Sequence, residues 1–406
     1  MLRYFVDLLD VNSDGKLLPG PITTAQEISI TRSLDRAGSF EIVIPSNTTL
    51  VQYLQPRQKV VIYRVTASGG VVEIGRGIID RVEPDLQSNG LVWRIAGNDI
   101  LRELAGMSPG FASLWNGVNG PCSHATAVST VAGYASSWTF TADPAPPIGY
   151  MYYKGSGDSV LTLCQKIAEQ ARTHFRLEYG GVNPRTVKFL SAFDYSYIVA
   201  RAPGQAAVPR SGVAYIADLE EIRDTGDLVT KLYPYGEDKG GGNYITLFNT
   251  TRSAPAGYTL NIGSNYIQND GAITSYGTIV RYMQFSDIRR IGTSGLDDQA
   301  ASDALFDVAL RELQQRSQVA KSYRLKLVGA VDIVSVGSTI RVSYRKVIDG
   351  AVMYDLDSYF NVLESTIRLR PGNLPELVEL VVSSVDRHPT SDASWAVLAE
   401  RSRQFR

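Results

Sequence analysis

Between Leu54 and Gly97 apolar and polar positions alternate in three runs separated by turn-forming residues. Val61, Tyr63 and Val65 alternate with Ile62 and Arg64, and Gly69-Gly70 turns the chain. Ile74 to Val82 returns, and Ser88-Asn89-Gly90 turns it again into Leu91, Trp93 and Ile95. Period-two alternation with Gly/Asn punctuation predicts a three-stranded antiparallel meander. The pattern comes back in Ile333 to Val382, where VSVGSTIRVSYR takes the place of LQPRQKVVIYR and DSYFNVLESTIRLR that of GRGIIDRVEPD. Pro371-Gly372-Asn373 then turns the chain into LVELVV. A repeat of pattern at low identity predicts two related β units separated by a long interval.

The first unit is extended by segments upstream. Tyr4 to Leu9 and Lys16 to Leu18 flank Asn12-Ser13-Asp14-Gly15 as a hairpin, and Ile28, Ile30, Phe40, Ile42 and Ile44 place two more strands around Arg36-Ala37-Gly38. The resulting antiparallel sheet closes at a short helical segment, Ile100 to Leu104, and a sheet of that size rolled into a barrel removes its own edges. From Ala105 the texture changes, with Pro144 to Pro147 and two helix candidates. One lies near His124 to Ala135. The other is capped by Asp158 or Ser159, with Val160, Leu163, Cys164, Ile167, Ala168 and Ala171 at helical spacing. Phe175, Leu177 and Tyr179, and then Val187 and Phe189, alternate as strands, which predicts an α+β insertion.

Strand patterning resumes at Ala214 to Ile222 and Leu228 to Tyr233, and after a Gly236 to Gly242 loop at Tyr244 to Phe248. Residues 250–296 are irregular and tyrosine-rich. Asp297-Asp298 caps a helix to about Ser317 with Phe306, Ala309, Leu310 and Leu313 on one stripe. The expected fold class is mainly β with α+β insertions: two related β-barrel tube domains plus peripheral α+β domains. The boundaries are 1–105 for the first barrel, 106–205 for the α+β insertion, 206–250 with 318–385 for the second barrel, 251–317 for a peripheral insertion with the long helix, and 386–406 for a C-terminal tail.

Composition narrows the function more than the fold. A chain of 406 residues with 44% hydrophobic and 20% charged residues and net charge -1 has no excess of basic residues for non-specific nucleic-acid binding. Two cysteines, Cys122 and Cys164, have no metal-site spacing and read as a loop thiol and a small buried residue. Asp7 and Asp10 interrupt any apolar leader, and no run is long enough to span a bilayer, so stable membrane insertion is not expected.

The motifs that could carry chemistry each have a plainer reading. Asp10, Asn12, Asp14 and Gly15 match the front of an EF-hand loop, but Pro21 stands where the bidentate Glu belongs, so a turn is expected. Lys239 precedes its glycines instead of following them, which argues against a phosphate cradle. His124, His174 and His388 are isolated, and no nucleophile elbow or zinc-protease motif occurs. Glu220-Glu221 falls on opposite faces of a strand, and Asp297-Asp298 answers a helix dipole. Arg341 and Arg345 read as a solvated strand face. No catalytic, cofactor-binding or metal-binding residue is assigned.

Several segments, in order, resemble the tail hub, or baseplate hub, proteins of long-tailed bacteriophages. They are ITRSLDRAGSFEIVIP, LQPRQKVVIYRV with GRGIIDRVEPD and WRIAGNDILREL, GDLVTKLYPYGE, NYIQNDGAITSYGTIV, and SYRLKLVGAVDIVSVGSTIRVSY. The resemblance implies a structural, non-enzymatic protein of the virion tail, assembled in the host cytoplasm. Its homotrimer forms a pseudo-hexameric ring that joins the six-fold tail tube or distal tail ring to the three-fold tip and lines the DNA channel. Implied partners are further copies of itself, the distal tail or tail tube protein, tip, spike or fibre proteins, and the tape measure protein, with DNA only in transit. No lysin segment follows the second β unit, so lytic activity is expected of another protein. Two other readings remain: a host-surface saccharide-binding module using the insertion and the tyrosines of 258–282, and a cell-wall hydrolase built on His124, His174 and nearby acids.

Overall fold

The computed structural model describes residues 4–384 except 11–13, 18–19, 47–48, 67–68, 88–89, 111–122, 144–156, 172, 180–182, 202–212, 225–227, 239, 286–287, 289–294, 329–333, 350 and 371–375. Cys122, Asn12-Ser13, Ser88-Asn89, Pro144 to Pro147, Lys239, the Pro371-Gly372-Asn373 turn, His388 and the 386–406 tail lie outside the described residues.

The alternating runs become strands. Strands β1 (Tyr4–Leu9), β2 (Glu27–Ser33), β3 (Ser39–Pro45), β4 (Lys59–Val65), β5 (Val71–Gln87) and β6 (Gly90–Asp99) pair in the order β1-β4-β5-β6-β3-β2. After a short helix, α1 (Arg102–Ala105), come α2 (His124–Ala132), β7 (Thr139–Ala142), α3 (Val160–Ala171), β8 (His174–Leu177) and β9 (Thr186–Leu190). The Ser159 hydroxyl accepts the Thr162 N–H at 3.2 Å and caps α3. Cys164 and its helical neighbours are buried against Phe175, Val187 and Phe189 of the three-stranded sheet β7-β9-β8.

Strands β10 (Asp194–Arg201) and β11 (Val213–Asp224) rejoin the large sheet. Next come β12 (Lys231–Tyr235), β13 (Tyr258–Asn261), β14 (Tyr266–Asn269), α4 (Asp270–Tyr276), β15 (Val280–Gln284) and α5 (Gly295–Arg316). The chain then completes the large sheet with β16 (Ala320–Val328), β17 (Ser338–Ile348), β18 (Ala351–Leu369) and β19 (Leu377–Ser383).

The echo in the sequence is a duplication of topology. Strands β10, β11, β16, β17, β18 and β19 repeat the ladder order of the first six as β10-β17-β18-β19-β16-β11. Each long central strand carries a bulge against its successor, skipping Asp80 in β5 and Leu363 in β18. Arg57 and Gly337, both at positive φ, donate their N–H groups to Ile79 and Val362, the residues just before those bulges. Rows across the two sheets then correspond: Ile30-Phe40-Gly97-Ile79 in one, Glu221-Tyr323-Val382-Val362 in the other. The packing is exchanged within the row. Phe40 lies over Gly77 and Gly97, whereas Tyr323 meets Phe360 edge-to-face at 4.9 Å, with Phe360 standing in the place of Gly77. The first unit thus lays one ring over two glycines where the second packs two rings against each other, so the positions correspond while identity is lost.

The two units are not separate barrels: one 12-stranded sheet runs through both, joined where β2 pairs antiparallel with β18. The second six strands return on themselves because β10 also pairs with β11, in parallel. In the first unit the matching seam, between β1 and the approach to β2, has among the described residues only the Val6–Ile22 bridge. A single apolar core, from Ile28 and Phe40 through Ile340 to Val382, serves both units. The structure is mainly β with α+β units, as expected, but the strands distribute differently from the sequence boundaries. Asp194–Arg201 leaves the insertion to lie between β17 and β11. Lys231–Tyr235 pairs with β14 and β15 in a four-stranded sheet under α5, and its core includes Val229, Ile245 and Leu247. Tyr244 to Phe248 is not a strand, because Asn265, in a left-handed conformation, accepts the Leu247 N–H and turns the chain into a 3₁₀ segment. Helix α5 begins at Gly295, so Asp297 and Asp298 lie inside its first turn and not ahead of it.

A Cβ at Gly77 would lie within contact distance of the Phe40 ring and the Asn98 carbonyl, whereas one at Gly263 meets only ordinary contacts. Gly77→Ala is expected to lower stability by about 1–3 kcal/mol, as overpacking does, and Gly263→Ala by less than about 0.5 kcal/mol. Thermal melts of the two variants beside the parent check this.

Candidate interface surfaces

Two polar clasps fix the α+β insertion on the first β unit. Asp35, at φ 60 in the β2–β3 turn, takes the Phe175 N–H at 2.8 Å and approaches His174 Nδ1 at 2.6 Å. Its own N–H reaches the Phe175 carbonyl, and Gln165 donates to its carbonyl oxygen. His174 and Asp35 are both buried, so this pair works as a staple between units. His124, at the start of α2, packs edge-on against Phe189, and burial pushes its imidazole below the usual range. The two histidines weighed for hydrolysis are thus core groups.

The second clasp is an ion network. Arg185 bonds Asp14 at 2.6 Å and Glu103 at 2.7 Å, and Lys59 reaches the same two carboxylates at 3.2 and 3.1 Å. It joins the first hairpin, β4, α1 and the approach to β9. Asp14 of the EF-hand-like run is therefore held by two cations, in a turn closed by the Asp10 N–H to the Gly15 carbonyl. The Arg185 guanidinium holds Asp14 well below the ordinary carboxylate range. Burial opposes the same shift at Glu103, but bonds from Arg185 and Lys59 outweigh it. Nearby Asp99 behaves oppositely: burial pushes it up to about 7 against the pull of the Gly38 and Leu101 N–H groups and the Tyr179 hydroxyl.

With the units locked, the exposed faces remain. On the solvent side of β2, β3, β5 and β6 lies a cleft of about 510 Å³ lined by Ser29, Thr31, Glu41, Asp80, Arg81 and Arg94, among others. Cross-strand ion pairs cover this face, with Arg94 on Glu41 and Asp85, Arg368 on Glu379, and Arg324 on Glu220. Arg341 and Arg345 likewise face Asp357 and Asp355. Among the described residues these arginines are each matched by carboxylates, so they form no unpaired basic track.

Apolar exposure concentrates at strand ends and on one small sheet. Leu86 and Leu91 pair at the tip of β5–β6, and Val347, Ile348, Val352 and Met353 crown β17–β18, all exposed. In the sheet β13-β14-β12-β15, the register sets Tyr266, Tyr233 and Tyr282 in one row on the face away from α5. Their centroids are 5.5 and 4.7 Å apart, and Lys231 Nζ lies 3.5 Å from the centre of the Tyr266 ring.

Solved structures share this architecture along nearly its whole length. A tail protein from Neisseria meningitidis MC58 matches with a TM-score of 0.57 at 14% identity, covering 97% of this chain and 98% of that one. The prophage tail protein gp18 from Listeria monocytogenes EGD-e matches at 0.58 and 11% identity, covering 99% of each chain. The 43 kDa tail protein of prophage MuSo2 from Shewanella oneidensis matches at 0.58 and 10%, covering 94% and 97%. The chain has the fold of these tail proteins. No protein-family model matches the sequence, and no curated protein does. Among the described residues of this tail-protein fold, no helix is long and apolar enough to cross a membrane.

The ion network and the buried Asp99 give opposite pH signatures. Stability from Asp14 and Glu103 is present above the ordinary carboxylate range and lost as pH falls through their depressed values. The contribution of Asp99, whose folded value is raised, is present below that range and lost as pH rises through about 7. Arg185→Ala is expected to cost about 1–3 kcal/mol and to flatten the acid limb of the melting midpoint against pH. Asp99→Asn is expected to flatten only the limb near neutrality. Melts from pH 3 to 9 read both.

Proposed function

We propose that this chain is a structural subunit of a phage tail hub. Three copies, each bringing two six-stranded units, form a ring with pseudo-six-fold symmetry. One side of the ring meets the six-fold tail tube or distal tail ring and the other a three-fold tip, spike or fibre assembly, while its bore carries tape measure protein and DNA in transit. The duplicated topology locked by the β2–β18 ladder carries this reading: one chain holds two equivalent units at a fixed angle, which is what matching a six-fold ring with three subunits requires. The shared fold with tail proteins supports it, and so does a sheet whose charges are paired internally, since a passage for DNA must not bind it. Assembly in the host cytoplasm and residence in the virion tail follow from the same reading. Native mass of the purified protein mixed with a six-fold distal tail ring is expected to show three copies per ring of six; monomers or hexamers alone would refute the hub.

The tyrosine row supports a second role, binding of host-surface saccharide. Tyr282 is 67% exposed at the sheet edge, and the amides and hydroxyls of Thr259, Asn261, Gln268 and Gln284 share the four-stranded sheet. Among the described residues no carboxylate pairs with Lys231, which leaves its charge to an acidic sugar. On an oligosaccharide array, acidic members should be retained over their neutral parents, and Tyr282→Ala should weaken retention about tenfold, the loss of one stacking anchor. Equal retention of all sugars, or none, removes this role.

A further inference from the structure

The duplication also says which strands join one copy to the next. Within the chain, the joint is made by β2, the second strand of the first unit, and the far half of β18, the fifth strand of the second unit. Strand β18 leaves β17 at Asn361, and from Glu364 to Leu369 its vacated edge is taken by β2. The twin of β18 is β5, which leaves β4 at Ile78. No ladder covers that same edge of β5 from Arg81 onward among the described residues. The twin of β2 is β11, which among the described residues touches β10 only at Val213 to Tyr215, so beyond that point it likewise has a described ladder on one side alone. Among the described residues, then, there is one used joint and, at its two ends, the two unused halves of the same joint.

Burial tells the same story residue by residue. Counting on from the bulges, Val82, Pro84 and Leu86 hold the positions of Ser365, Ile367 and Leu369. Leu369 is 0% exposed under β2, whereas Leu86 is 82% exposed. Leu219 of β11 holds the position of Ile28, the partner of Leu369, and is packed on its other side against the common core. The ion pair that borders the joint is kept with its signs exchanged: Arg368–Glu379 in one unit, Asp85–Arg94 in the other. An exposed leucine on an open strand edge costs stability and solubility unless something covers it.

We propose that β11 of one copy pairs antiparallel with the far half of β5 of the next copy, in the register of the internal joint, with Leu219 opposite Leu86 and Glu220 opposite Asp85. This rests on the hub reading and names its subunit contact: a heterologous, head-to-tail interface that closes a ring. The sheet then passes unbroken from copy to copy. Glu220 and Asp85 each bring their own arginine, Arg324 at 3.1 Å and Arg94 at 2.7 Å, so the two carboxylates meet as parts of a four-charge set.

The test is a pair of exposed cysteines, Glu220→Cys with Asp85→Cys, in a Cys122→Ser background, oxidised with copper phenanthroline while the protein is assembled with its distal ring. Directly opposed residues in an antiparallel ladder lie about 4.5–5.5 Å apart at Cα, within disulfide reach. Ser29→Cys with Arg368→Cys, the same pair at the internal joint, is the control and should close within one chain. The expected result is a covalent ladder between chains ending at the ring, absent from either single cysteine variant. Leu86→Asp should weaken assembly about tenfold, the loss of one interface anchor, with the melting midpoint of the isolated chain unchanged. A ring of normal mass that yields no interchain bond while the control closes would overturn the pairing and leave the hub standing. A chain that stays monomeric with its distal ring would remove both.

Discussion

A β-strand edge is a row of N–H and C=O groups that has to be satisfied, and the architecture follows from how that demand is met. Six residue pairs, from Glu364–Ser33 to Leu369–Ile28, satisfy it between the two units. At roughly 1 kcal/mol net per hydrogen bond the ladder alone is modest. It also buries Ile30, Ile367 and Leu369, and so fuses two cores into one. A linker would leave the units free to turn. A shared ladder, with side chains interdigitated on one face, fixes their twist and separation.

The insertion is fixed by a different kind of force, and from two directions. The Asp35 clasp is buried and short, so it specifies geometry: its partners are the Phe175 backbone N–H and the His174 ring. The Arg185 network is half-open to solvent and collects four charges from four segments. Where the insertion, β2 and the second unit converge, Leu34, Leu190, Val336 and Leu363 form a small apolar cluster of their own. Leu363 is the bulge residue of β18. The bulge that ends the β17 pairing therefore also seats the insertion, and one irregularity in one strand organises three segments.

Local pattern made part of this legible in the sequence. The meanders were readable because alternation and turn residues are properties of neighbours, and α3 because its cap and stripe lie within one segment. The misplaced pieces were those whose partners are remote. Asp194–Arg201 has strand character, yet nothing in it says that it pairs in parallel with β17 and β11. Lys231–Tyr235 follows a strand of the large sheet and still belongs elsewhere, because Leu232 and Pro234 point into the core beneath α5. Tyr244 to Phe248 alternates as a strand should, but a left-handed Asn265 takes its backbone donor. The candidate surfaces were less legible still. Glu221 standing in for Ile30, and Phe360 with Tyr323 for Gly77 with Phe40, hide the duplication from any comparison of residues.

Those exchanges follow from the different lives of the two halves. Ile367 sits where β2 covers it in every folded molecule, so an apolar β-branched residue is safe there. Its twin is Pro84, with Glu83 and Asp85 beside it, on an edge that no strand covers among the described residues. Proline offers no N–H and charges resist burial, the two devices by which sheet proteins keep open edges from pairing at random. Leu86, one residue beyond, is the apolar exception. An edge defended at three positions and adhesive at the fourth discriminates between partners: only a strand that brings an apolar residue to Leu86 and tolerates the acids is rewarded. The ion pairs Arg94–Asp85 and Arg324–Glu220 lower the repulsion for one such strand, the twin of β2. Divergence of the halves has thus turned one inherited joint into a permanent one inside the chain and a selective one at its ends.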